Sequence, residues 1–199
     1  ITANEQTKGR GTSNRMWASP PHVNIYATFG VRIPNDFGVY FDLAKSPAVM
    51  ELMALAVVKT LEELGFKPVI KWRNDVLLNG KKVCGILCEA NTSTQGGVGL
   101  IGIGINVNMS KEICQSLDQP VTSLAVEAGR TFDKEEVFNL LAKNVDHYIN
   151  IYLKQEFNQC VPEINGRLAF VGKLIHVEDQ FSKQVLEGIC LGIDETGQL

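Results

Sequence analysis

The chain is predicted to fold as an α+β protein: a mixed, largely antiparallel sheet packed by helices, followed by a small all-β unit. Three observations carry this. Asn79 and Gly80 stand between two apolar runs and form the strongest short hairpin signal, because a type I′ turn needs φ > 0 at both central residues. A segment rich in Ala, Leu, Met and Val over 46–64 has helical periodicity and enough apolar breadth to lie buried against a sheet. From Gly166 onward, short strand-like runs alternate with tight polar turns.

The chain opens on "ITANEQTKGRG", polar and glycine-bearing, and is expected to be the cut end of a longer N-terminus. "NIYATFGVRI" follows as a strand, with Ile25, Ala27, Phe29 and Val31 alternating with Tyr26, Thr28 and Arg32; a break is expected over 34–38. Ser46 is the predicted N-cap of the first helix, with Pro47 at its first position and Gly65 as its stop. Its apolar stripe runs through 49, 50, 53, 57, 58, 61 and 64, widened by Leu52, Ala54 and Leu55.

Strands are expected over 67–72, 76–78 and, beyond the turn, 81–89. "GGVGLIGIGINVN" is a further strand, whose glycines let a ligand or second strand approach the backbone closely. A short helix is expected over 122–129. Asp133 with Glu136 resembles a capping box before a helix to about residue 153, with Val137, Leu140, Leu141, Val145, Tyr148, Ile149 and Tyr152 on one face. "RLAFVGKLIHVED", "KQVLEGICLGID" and "ETGQL" read as strands of the small unit. The expected division is 1–163 and 164–199, the second part stopping where another strand would begin.

With 45% hydrophobic and 21% charged residues, the 199-residue chain has the composition of an ordinary globular protein. A net charge of -3 argues against a broad nucleic-acid surface, which needs clustered Lys and Arg. No apolar run reaches the roughly 18 residues of a membrane helix, and the start lacks a secretory layout, so the cytoplasm is expected, with neither membrane nor nucleic acid as partner. Cys84, Cys88, Cys114, Cys160 and Cys190 contain no CxxC pair, which signals neither disulfide framework nor zinc site. Cys84 and Cys88 share one face of a strand as small core residues. His22, His147 and His176 are scattered and take no catalytic role.

Three constellations bear chemistry. In "KGRGTSNRMW", glycines can present N–H groups to an anion, Arg10 and Arg15 can grip phosphate or carboxylate, and Trp17 offers a stacking face; alone, a solvated loop is the commoner outcome. In "KWRNDVLL" with "KKVCGIL", a carboxylate beside lysines can hold Mg²⁺ or a ribose hydroxyl, and a lysine can neutralise a phosphoryl group. A charged hairpin tip is an even alternative, but the embedding of Asn74 and Asp75 between Trp72 and an apolar strand favours a partnered role. In "GIGINVN", Gly102 and Gly104 open a strand and Asn106 and Asn108 follow; alone this reads as a central strand ending in a turn.

In this order and spacing, "GRGTSNRMW", "KWRNDVLLNGKKVCGIL" and "GIGINVN" resemble the catalytic domain of the biotin–protein ligase family, including holocarboxylase synthetase, and the likeness extends through "GKLIHVEDQ" and "GICLGIDETGQL". The resemblance implies a class II synthetase-like catalytic domain with an SH3-like C-terminal β barrel. It implies that biotin and Mg-ATP give biotinyl-5′-adenylate, whose acyl group passes to a lysine of a biotin carboxyl carrier domain. Gln6, Gly9, Arg10 and Gly11 would then wrap biotin and the adenylate phosphate, with Arg10 as clamp. Lys82 would bridge the biotin carboxylate and the α-phosphate, and Gly85, Gly102 and Gly104 would line the biotin pocket. Thr12, Arg15, Trp17, Asn74, Asp75 and Asn106 fall to ATP, Trp17 near adenine and Asp75 as ribose or Mg²⁺ ligand. Family edge strands often pair, which makes a homodimer a further expectation.

Departures stand out. Thr12 replaces an arginine found over the adenylate in many relatives, which implies looser retention of the intermediate; bystander labelling no higher than in a Thr12→Arg variant would refute this. Arg73 replaces the proline of KWPND, placing an extra charge near the ATP phosphates. The family's upstream Ser/Thr-bearing turn lies outside these residues. The rival readings are a lipoate or octanoate ligase, whose motifs differ, and a non-catalytic sensor of biotinyl-adenylate, which would not need Lys82.

Overall fold

The computed structural model describes residues 1–12, 15–33, 46–93, 96–178 and 184–199. The break expected over 34–38 lies outside them. In chain order the elements are β1 (Thr2–Ala3), β2 (Ile25–Ile33), α1 (Pro47–Glu63), β3 (Val69–Lys71), β4 (Asp75–Leu78), β5 (Lys81–Ser93), β6 (Gly96–Ile105), α2 (Lys111–Gln115), α3 (Leu124–Ala128), α4 (Lys134–Leu153), α5 (Val161–Asn165), β7 (Leu174–Glu178) and β8 (Val185–Ile189).

Six strands form one sheet in the order β1-β2-β6-β5-β4-β3, every ladder antiparallel. Among the described residues, parallel pairing is confined to isolated bridges, Ile70 with Leu168 and Lys82 with Val121. Side chains alternate across a strand, so the sheet has two distinct faces. One carries Ile25 and Ala27 of β2, Cys84, Ile86 and Cys88 of β5, and Ile101, Ile103 and Ile105 of β6, all buried in the main core. The opposite face carries Gly85, Gly102 and Gly104 together with Tyr26, Thr28, Leu87 and Leu100.

The helix α1 lies in that core and packs on α4, which explains its breadth: residues 49–58 are buried continuously, well beyond a single stripe. Gly65 ends the helix with φ +89° as expected. Ser46 stands at the N-cap position but makes no side-chain cap bond, so the entry depends on Pro47. Asp133 caps α4 by accepting from the Glu135 N–H at 2.9 Å. The predicted face of α4 is buried except for Leu140, which is half-buried. Buried Asn144 ties the two helices together, donating to Thr60 Oγ1 at 3.2 Å and Glu63 Oε1 at 2.9 Å.

The hairpin between β4 and β5 closes at Leu78 and Lys81, with Asn79 at φ +49° and Gly80 at φ +76°, the two positive angles a type I′ turn demands. β3 is shorter than the expected 67–72, since Pro68 has no N–H to give a ladder and Trp72 enters the turn. The short helix at 122–129 is α3, capped by the Ser123 hydroxyl and ended by Gly129 in the left-handed region. β1, α2 and α5 were not foreseen, because elements of two to five residues show no periodicity.

Of the three strands expected near the C-terminus, two form: β7 and β8 pair as an exposed two-stranded ladder. "ETGQL" makes none. Asp194 there accepts from the N–H groups of Thr196 and Gln198 at 2.8 and 3.0 Å, and this local bonding competes with a ladder. The base of this region belongs to the main core through Leu168, Cys190 and Ile193. Asn165 accepts from Ile193 N–H at 2.8 Å and donates to its carbonyl at 3.0 Å, while the Trp72 indole donates to Gly197 O at 3.1 Å. Among the described residues, no helix is long and apolar enough to cross a membrane.

Candidate active site

A cleft of about 300 Å³ opens on the sheet face away from α1 and α4. Its floor follows from register. Gly85 of β5 pairs with Gly104 of β6, Leu87 with Gly102, and Glu89 with Leu100, which sets three glycines side by side. Tyr26 and Thr28 of β2 continue the same rows opposite Gly104 and Gly102. Where Gly85, Gly102 and Gly104 meet, the floor lacks side chains and admits a flat ligand against the backbone, with Tyr26, Thr28 and Leu87 beside it.

Lys82 reaches this face because β5 is bulged. Val76 pairs with Cys84, yet Leu77 pairs with Lys82, so Val83 is the extra residue and both Val83 and Cys84 point into the core. Without the bulge, Lys82 would share the inward face of Cys84 and Ile86; with it, Lys82 joins Gly85, Leu87 and Glu89. The backbone on either side is pinned, Lys82 N–H to Pro120 O and Lys82 O to Thr122 N–H, both at 2.9 Å. Its side chain is 16% exposed, and its ammonium lies 2.6 Å from Asp75 Oδ1 in an ion pair. Lys81 points elsewhere, toward Glu127 at 3.9 Å.

The first constellation folds over the floor. Gly11 N–H donates to Arg15 O at 2.7 Å and Trp17 N–H to Gly9 O at 3.0 Å, drawing the two ends of the segment together. Gly9 is required there, since a Cβ would stand 2.5 Å from Trp17 O. The Trp17 indole lies across the glycines: a Cβ on Gly85 or Gly104 would come within 2.7 or 2.6 Å of its ring. The Lys82 ammonium sits 5.2 Å from the ring centroid, and the indole N–H is buried without a partner. Arg10 forks onto Glu89 at 2.9 and 2.8 Å, Arg15 turns back on Thr12 at 3.4 Å, and Gln6 donates to Ser19 at 3.0 Å.

Gln6, Arg10, Gly11, Thr12, Arg15, Trp17, Asn74, Lys82, Gly85, Gly102 and Gly104 thus line one cleft. Asn74 also holds its wall, donating to Ile86 O at 3.0 Å. Asn106 is not brought there. It is 3% exposed, accepts from Asn24 at 3.3 Å and donates to Thr122 O at 3.0 Å, so both ends of its amide are used inside the chain. Asn108 pairs twice with the backbone of Phe132, at 2.8 and 2.9 Å. Arg73, joined to Trp72 by a cis peptide, lies over the Trp72 ring at 5.6 Å rather than in the cleft lining. Glu89 was missed, although it is in phase with Gly85 on the same strand. Burial pushes the thiols of Cys84 and Cys88 up, the latter to about 12, so neither is a nucleophile.

Residues 1–106 match the biotin/lipoate A/B protein ligase family. The chain belongs to this family. Among similar members, the bifunctional ligase/repressor BirA of Bacillus subtilis is 31% identical over 207 residues, covering 100% of this chain and 60% of its own. The biotin–[acetyl-CoA-carboxylase] ligase of Mycobacterium tuberculosis is 30% identical over 202 residues, covering 100% and 71%. Among solved structures, the biotin protein ligase from Aquifex aeolicus in complex with biotin and ATP superimposes with a TM-score of 0.82 at 27% identity, over 98% of this chain and 78% of that one. The family's α+β architecture, an antiparallel sheet with helices and a small C-terminal sheet, is the one found here.

Proposed function

We propose that the chain carries the catalytic machinery of a biotin–protein ligase, joining biotin to AMP with Mg-ATP and passing the acyl group to a lysine of a biotin carboxyl carrier domain. The observation that carries this is the placement of Lys82, aimed by the bulge across a glycine-bearing floor in a chain similar to ligases of that name. A carboxylate oxygen attacks the α-phosphorus, pyrophosphate leaves, and the acceptor amine then attacks the acyl carbon as AMP departs. Negative charge gathers twice at one place. The Lys82 ammonium is the fixed positive group beside it, the more exposed Arg10 guanidinium joins it from the arm, and preorganised charge at the lysine lowers the barrier to both steps.

Asp75 orients Lys82, and Asn74 secures the strand beneath it. The described residues do not build a resident Mg²⁺ site: no three His, Cys, Asp or Glu come together, and Asp75 is engaged with Lys82. Mg²⁺ therefore enters as the companion of ATP, held mainly by phosphates. The cytoplasm is the proposed compartment, residues 1–163 the proposed catalytic unit and 164–199 the C-terminal one. The test is incubation of the full-length protein with Mg-ATP, biotin and a carrier domain, read by avidin blot. Biotin-dependent labelling is expected; labelling with lipoate instead would give the site to the rival ligase, and binding without labelling would give it to a sensor.

A further inference from the structure

We propose that the arm formed by residues 8–12 and 15–17 holds the cleft in a self-occupied state, in which Glu89 is a positioning residue that fills the Arg10 fork until a substrate anion displaces it. This rests on the biotin ligase reading above. Both terminal nitrogens of Arg10 are used by the two Glu89 oxygens, the parallel geometry in which a guanidinium takes a carboxylate or phosphate. Glu89 comes from β5, so the pair ties the arm to the sheet.

The second contact occurs on the same arm. Trp17 lies where a flat ligand would rest, on Gly85 and Gly104, and its N–H is buried without an acceptor. A buried donor left unpaired is costly, so the seat is held by ring contacts and by the nearby Lys82 ammonium, not by hydrogen bonding. Arg10 and Trp17 are joined through the paired backbone of Gly9 and Trp17, so releasing one loosens the other. A ligand bearing both a carboxylate and a compact ring system matches the two occupants together. Its apparent affinity is reduced by the fraction of molecules closed in this way.

The experiment compares the whole chain with Glu89→Gln and Glu89→Asp. Biotin binding is followed by Trp17 emission in a Trp72→Phe background, which leaves one of the two tryptophans. Biotin-dependent ATP–pyrophosphate exchange is measured on the same samples. Glu89→Gln is expected to bind biotin about two- to fivefold tighter, with faster association, the worth of an exposed charge pair. Glu89→Asp should return toward wild type. Unchanged affinity in Glu89→Gln overturns the inference, and weaker affinity overturns it too, by showing that Glu89 presents Arg10 to the substrate. In either case wild-type exchange leaves the functional reading standing; wild type that neither binds biotin nor exchanges pyrophosphate removes both.

Discussion

At position 51 a carboxylic acid sits fully buried in α1 with neither oxygen hydrogen-bonded. Burial pushes its pKa from 4.5 up to about 8, against an opposing pull from Arg73. The folded chain therefore keeps a proton that the unfolded chain releases, and stability is complete below pH 4.5 and lost as pH rises toward 8. Glu51→Gln should flatten that decline, by at most about 5 kcal/mol on the rule of about 1.4 kcal/mol per pKa unit. Urea unfolding at acid and alkaline pH checks this, and an unchanged slope would refute it. Arg73 stands out in the sequence as a departure from a motif, whereas Glu51, on which it acts, lies in a helix whose pattern is apolar; a single charge inside a hydrophobic run carries no pattern.

Among the elements, the β4–β5 hairpin was the most legible and the most consequential. Asn79 and Gly80 announced the turn, and the turn sets the register from which the bulge redirects Lys82. Gly80→Ala places a side chain at φ +76° and should cost roughly 1 kcal/mol, whereas Gly188→Ala, with open space and no positive φ, should be nearly neutral. Chemical denaturation of the two variants distinguishes them; equal losses would mean that the turn conformation is unimportant. The bulge itself was not legible. In "KKVCG" two lysines precede two apolar residues, a break in strict alternation that does not say which residue is extra; cross-strand pairing assigns it to Val83. Long periodic elements such as α1, β6 and α4 were readable, while α2 and α5 were too short to declare themselves.

Over the whole molecule, the order of three motifs identified the site better than any one did, because each glycine or charged group finds its meaning only when the strands pair. Gly85 and Gly104 are nineteen positions apart in the chain yet adjacent in the sheet. Asn106 shows the opposite limit: its place in a motif suggested the nucleotide, but burial and two internal hydrogen bonds make it a brace between β6 and the residues before α3. At the C-terminal end, the strand-like "ETGQL" was overridden by the Asp194 turn, and Trp72 fastens that turn to the main sheet. The central claim is that Lys82 is the charge around which the reaction is organised. Biotin-dependent ATP–pyrophosphate exchange in Lys82→Ala tests it most directly. Exchange should fall by about 10²- to 10³-fold while biotin still binds within roughly tenfold; exchange near the wild-type rate would contradict the account.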